Sequence, residues 1–173
     1  ILLLIAAMCY PGGSSVDVEA TGYDWFNNYI SNLLSPIAVN GMQNSARPWA
    51  VTGILLLTGG FGLFFVRFSQ KISDRNGARV IKLLGIAVTV LGILTLIIFF
   101  YITVFTLKSK LRLLKLCAVL FLSTFYLAAF MYFTRSYLEF MPLMQKIIFI
   151  MKIVWVLSLE YFTTRADFLP EEK

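Results

Sequence analysis

Histidine is absent from this chain, and only two of its 173 residues are cysteine. Without histidine there is no zinc-finger pattern, and acid–base chemistry at neutral pH loses its most common participant. Cys9 and Cys117 stand far apart, in or beside apolar segments, so a structural disulfide is not expected and they leave the redox compartment unread. Charge is scarce too: 14% of residues are charged, nine of them acidic and fifteen basic. Soluble domains run at about 25% charged and about 45–50% apolar residues. This chain is 59% hydrophobic, with a mean hydropathy of +0.81. A soluble domain of this length could not hide so much apolar surface.

The apolar residues gather in long runs, 48–66, 83–107, 116–133 and 143–162. A membrane-crossing helix needs roughly 20 such residues. Backbone polar groups in lipid must be satisfied internally, which leaves helices or closed barrels. Barrel strands would be about ten residues long with alternating polarity, so the runs are read as helices. The net charge of +6 is no nucleic-acid signal, because the basic residues fall mostly in short connectors, where orientation signals and anionic-lipid contacts belong. Membrane lipids are the expected partners, and neither a cofactor nor a metal is expected. The opening run Ile1-Leu2-Leu3-Leu4-Ile5 reads as the tail of a first transmembrane helix. The other reading, a lipoprotein signal core ending at Cys9, needs small residues before the cysteine, and Met8 stands there.

Charge orients the bundle. Connector 11–47 carries Asp17, Glu19 and Asp24, with Arg47 as its only basic residue. Connector 67–79 carries Arg67, Lys71, Arg75 and Arg79 against Asp74, so the positive-inside rule places it in the cytoplasm and 11–47 outside. Run 83–107 then conflicts with the rule. As one helix it would carry Lys108, Lys110, Arg112 and Lys115 outside, whereas two crossings need about 40 residues. We therefore expect residues to be missing around 93–100, with the run representing the ends of two spans; a single tilted helix is the alternative. The expected architecture is a single all-α transmembrane domain over 1–173. Its six helices lie at about 1–10, 48–66, 80–95, 98–107, 114–133 and 143–162. Both termini are then cytoplasmic, and Trp49, Tyr132, Tyr137, Tyr161 and Phe162 fall near the interfaces as an aromatic belt.

Connector 11–47 is too long and too patterned to be slack. Phe26, Tyr29, Ile30, Leu33 and Ile37 recur at helical spacing, with Asp24, Asn28, Ser31 and Ser35 opposite, Asn27 and Asn32 beside them, and Pro36 as the stop. This predicts a short amphipathic helix on the outer face of the bundle. Its polar stripe reads either as a wet face capped by Asp24 or as one wall of a head-group pocket. Asn44 and Arg47 add donors and a cation above the second helix, and Arg47 either grips a phosphate or snorkels at the surface. The candidate ligand set is Asp24, Asn28, Ser31, Asn32, Asn44 and Arg47. Lys152, deep in the last span, marks a function, a buried partner or a snorkelling offset; Lys146 reads as an anchor. Thr58 with Gly62, and Gly85 with Thr89, read as close helix packing.

The tract Tyr10-Pro11-Gly12-Gly13, Gly22-Tyr23-Asp24-Trp25, Asn28-Tyr29-Ile30-Ser31-Asn32-Leu33, Asn40-Gly41 and Asn44 resembles a six-helix bacterial membrane protein family. That family has no assigned function and carries an N-Y-[IL]-S-[DN]-L signature after helix 1. It is similar in turn to the DRAM/Sfk-type membrane proteins, associated with lipid handling. The resemblance implies six helices and an inner-membrane location. It also implies a histidine near the start of helix 4, which this chain lacks, so no catalytic role follows from it.

Three functional classes remain at this stage. The leading one is a membrane protein that binds lipid head groups or a partner through 11–47. The others are an accessory subunit packed against other membrane protein subunits and an outer-leaflet lipid-modifying enzyme. The enzyme would need a second acid–base group near Asp24. A transporter is least favoured, because the spans show no paired charges or inverted repeat.

Overall fold

Hydrophobic runs of this length can bury their backbone only as helices, and the computed structural model, which describes residues 1–91, 106 and 111–164, forms them. The α-helices are α1 (Leu2–Met8), α2 (Arg47–Ser69), α3 (Arg75–Leu91), α4 (Arg112–Thr134) and α5 (Met141–Phe162), with 3-10 turns at Ile30–Leu34 and Leu138–Phe140. Among the described residues, three stretches are long and apolar enough to cross a membrane: Arg47–Ser69, Leu114–Thr134 and Leu138–Phe162. They coincide with the runs 48–66, 116–133 and 143–162. The described residues thus hold five α-helices where six were expected. The expected partial helix 98–107 and the expected gap at 93–100 fall almost wholly outside the described residues.

Helix α3 begins before the expected 80 because Asp74 caps it. The Asp74 carboxylate accepts the Asn76 N–H at 3.3 Å and the Gly77 N–H at 2.8 Å, satisfying amides that have no partner within the helix. The chain divides into two compact units, Ile1–Leu57 with Thr124–Ile150, and Thr58–Ser123 with Met151–Lys173. In the second, Phe64, Phe65 and Phe68 of α2 are buried. Gly85 of α3 meets Phe65 so closely that a Cβ would lie 2.3 Å from that of Phe65, so Gly85 does mark a close helix contact. Phe121 and Trp155 stack at 5.3 Å. The Lys71 amine donates to the Glu160 carbonyl at 2.8 Å and lies 3.5 Å from its carboxylate, so it also supplies a cation at the end of α5, where the helix dipole favours one.

The first unit packs the connector against α1 and the start of α2. Its core is Ala6, Tyr10, Leu33, Ala38, Ala46 and Ala50, with Leu3, Tyr23 and Leu34 against it. Isolated antiparallel bridges join Gly12 to Thr21 and Ile37 to Gln43. The Gly13 N–H donates to Ala20 O at 2.7 Å, and the Asn40 N–H donates to Gly12 O at 3.3 Å. The Tyr10 hydroxyl accepts the Val39 N–H at 3.0 Å.

The amphipathic helix expected in the connector is reduced to the five residues Ile30–Leu34, in 3-10 form. Local side-chain bonds win over the helical pattern. Asp24 turns the chain at Phe26 and Asn27, Tyr29 is extended with ψ 153, and the Asn32 side chain accepts the Tyr29 N–H at 3.1 Å. The stripe therefore breaks up: Leu33 is 2% exposed, but Phe26 is 67% and Ile37 58% exposed.

Gly12 and Gly13 are both tight points of this packing; Gly13 has φ +84 and a Cβ position only 2.4 Å from the Asn40 backbone nitrogen. Gly41 has φ +82 but nothing within 4 Å of its Cβ position. Gly13→Ala should destabilise the connector by about 3 kcal/mol through strain plus clash, against about 1 kcal/mol for Gly41→Ala. Limited proteolysis and thermal unfolding of the detergent-solubilised variants read the difference.

Candidate functional site

The connector and α5 meet at Asn28, which is fully buried. Its N–H donates to Asp24 O at 2.9 Å, and its side-chain amide donates to Gly13 O at 2.9 Å. Its carbonyl accepts the Tyr23 hydroxyl at 3.2 Å and the Lys146 ammonium. Lys146 is itself only 8% exposed. It donates also to Pro142 O at 3.2 Å and lies 5.4 Å from the centre of the Tyr23 ring, within cation–π range. Beside it, Gln145 Oε1 accepts the Ile30 N–H at 2.8 Å. The second turn of α5 therefore holds two backbone groups of the connector, the Asn28 carbonyl and the Ile30 N–H. Lys146, read from sequence as an anchor, is instead a buried partner; the signal that could have found it is the adjacent polar pair Gln145-Lys146 inside an apolar run.

Asp24 is satisfied locally. Its carboxylate accepts the Asn27 side-chain amide at 2.7 Å, the Phe26 N–H at 2.9 Å and the Asn27 N–H at 3.1 Å. The Asn27 amide, more than the backbone donors and the Lys146 charge, holds the Asp24 carboxyl below its ordinary value. Burial, aided by Tyr10 and Asp24, pushes the Tyr23 phenol far above its usual range, so it stays a neutral donor to Asn28.

A separate cleft of about 730 Å³ opens beside the start of α2, lined by Pro36, Gln43, Asn44, Ser45, Arg47, Pro48, Val51 and Thr52. Asn44 braces it: its amide donates to the carbonyls of Asn32 at 3.0 Å, Leu33 at 3.2 Å and Ser35 at 2.7 Å, and its oxygen accepts the Ala46 N–H at 3.1 Å. Arg47 is exposed, and its side chain has no hydrogen-bond or ion-pair partner among the described residues.

No known protein family, curated protein or solved structure matches this chain.

The six candidate residues thus do not form one site. Asp24 and Asn28 belong to the Lys146 cluster, Asn32 and Asn44 brace backbone, Arg47 and Asn44 line the cleft, and Ser31 is exposed. Lys152 lies over the Phe61 ring at 5.7 Å, in the other unit. Among the described residues no cluster of His, Cys, Asp or Glu could hold a metal.

Lys146→Met removes a charged donor from a buried carbonyl, a loss of about 2–3 kcal/mol, whereas Gln145→Ala strands one N–H for about 1 kcal/mol. Unfolding midpoints, with cleavage within 20–35 as the local readout, should rank them so. Because the Asp24 carboxyl titrates below its ordinary 3.8, its stabilisation is full above that pH and is lost as pH falls through the folded value. Acidification below about pH 4 should loosen 24–28, and Asp24→Asn should flatten that dependence in amide exchange.

Proposed function

We propose that this chain is a multi-pass integral membrane protein of the inner membrane, with both ends cytoplasmic and connector 11–47 outside. In this reading it binds the head group of an anionic lipid in the Arg47 cleft. The orientation is supported by the basic residues of 67–79 and by the acidic balance of 11–47, and it agrees with the resemblance of residues 10–49 to the six-helix bacterial family. The observation that carries the binding proposal is Arg47 itself. Its guanidinium has no hydrogen-bond or ion-pair partner among the described residues and lies at a cleft whose other walls mix donors (Gln43, Thr52) with apolar surface (Pro36, Pro48, Val51). Arginine presents a planar fork matched to phosphate oxygens. Asp24 and Asn28 keep the connector in shape and do not touch the lipid.

Charge-assisted hydrogen bonds of this kind contribute about 1.5–3 kcal/mol, so Arg47→Gln should weaken phosphatidylglycerol retention about tenfold or more. Native mass spectrometry of protein released from nanodiscs of phosphatidylcholine and phosphatidylglycerol counts the retained lipid. Phosphatidylcholine retention should be unchanged, and Asp24→Ala should behave as wild type. Equal phosphatidylglycerol retention by wild type and Arg47→Gln would rule the cleft out as the binding site.

A further inference from the structure

Helix α5 is 22 residues long, about 33 Å at 1.5 Å per residue, against a hydrocarbon core of about 30 Å. A helix so closely matched has little slack at its ends, so its second turn lies inside the hydrocarbon edge. Gln145 and Lys146 stand on that turn. Polar side chains and irregular backbone are tolerated at such depth only where protein satisfies them. Here they satisfy each other, Gln145 taking the Ile30 N–H and Lys146 giving to the Asn28 carbonyl. The connector at Asn28 and Ile30 therefore packs beside α5 at the hydrocarbon edge, not over its end.

Two aromatic residues follow from that placement. The Tyr23 ring lies against Lys146, and the Trp25 ring meets the Tyr23 ring edge-on at 5.1 Å. The rest of Trp25 is open, 51% exposed, and Phe26 is 67% exposed. Tryptophan is favoured where one side of the ring meets hydrocarbon and the other meets polar groups; on the polar side, the Tyr23 ring that Trp25 meets carries a hydroxyl bonded to the Asn28 carbonyl, and Asp24 precedes it in the chain. We infer that Trp25 and Phe26 form a wedge inserted into the interfacial layer of the bilayer, with the lipid itself as the partner of this surface. The inference rests on the reading of Leu138–Phe162 as membrane-crossing, and it is independent of the Arg47 cleft.

The test uses the full chain in phosphatidylcholine vesicles. Trp25 is one of three tryptophans, so the difference in fluorescence between wild type and Trp25→Phe isolates it. The wedge predicts a difference spectrum blue-shifted from aqueous tryptophan. It also predicts quenching several-fold stronger by lipids brominated high on the acyl chain than by aqueous iodide. Stronger quenching by iodide, or protection from both quenchers by a protein partner, would overturn it. Flotation after alkaline-carbonate washing separates the two levels: protein that fails to float removes the membrane reading, whereas floating protein with iodide-accessible Trp25 removes only the wedge. Should Trp25→Phe fold poorly, Phe26→Cys with Cys9→Ser and Cys117→Ser carries a polarity-sensitive probe. The wedge predicts a blue-shifted, iodide-resistant probe signal, and a water-like signal would overturn it.

Discussion

The carbonyl oxygen of Asn28 is the point on which the connector's architecture depends. A lysine buried among apolar residues is tolerable only with hydrogen-bond partners, and a buried carbonyl is tolerable only with donors. Lys146 and Asn28 meet both requirements at once. Tyr23 adds a second donor to the same oxygen, and the Asn28 side chain carries the constraint on to Gly13. There the left-handed backbone lets residues 12–13 lie against 20 and 40. One cation on α5 thus reaches, in two steps, the segment that leaves α1.

The same chain of contacts runs toward the cleft. Ile30, held by Gln145, opens the 3-10 turn whose carbonyls at 32 and 33 are gathered by Asn44. Asn44 then closes the turn that leads into α2 through the Ala46 N–H. Arg47 is the first helical residue after it. The cleft is therefore shaped by Asn44, which spends its hydrogen-bonding capacity on backbone, while the Arg47 guanidinium has no partner among the described residues and is the group we propose meets a lipid phosphate.

Three of the four long apolar runs were legible in the sequence: 48–66, 116–133 and 143–162 reappear as stretches able to cross a membrane, whereas most of 83–107 lies outside the described residues. The connector was legible only in part. Hydrophobic spacing from Phe26 to Ile37 promised a helix, but Asp24, Asn27 and Asn32 have short side chains that bond nearby amides, and those bonds redirected the chain. Periodicity counts apolar positions and has no term for this competition. Asn28 was read for the same reason as part of a polar stripe, either a wet face or a pocket wall, and is fully buried with its side-chain amide on Gly13 O. Lys146 was misread because a single cation near the end of a span looks like a snorkelling anchor. Only the tertiary fold shows that a backbone carbonyl lies within its reach.

The most direct measurement of this arrangement is hydrogen–deuterium exchange of the unmodified protein, followed over peptides covering 24–34. If Asn28 and Ile30 are held by Lys146 and Gln145, the Ile30 amide should exchange slowly, with protection comparable to the first turns of α5. Its protection should then be lost together with theirs as denaturant is raised. Exchange of residues 28–34 as fast as in an unprotected chain, while α5 stays protected, would contradict the account.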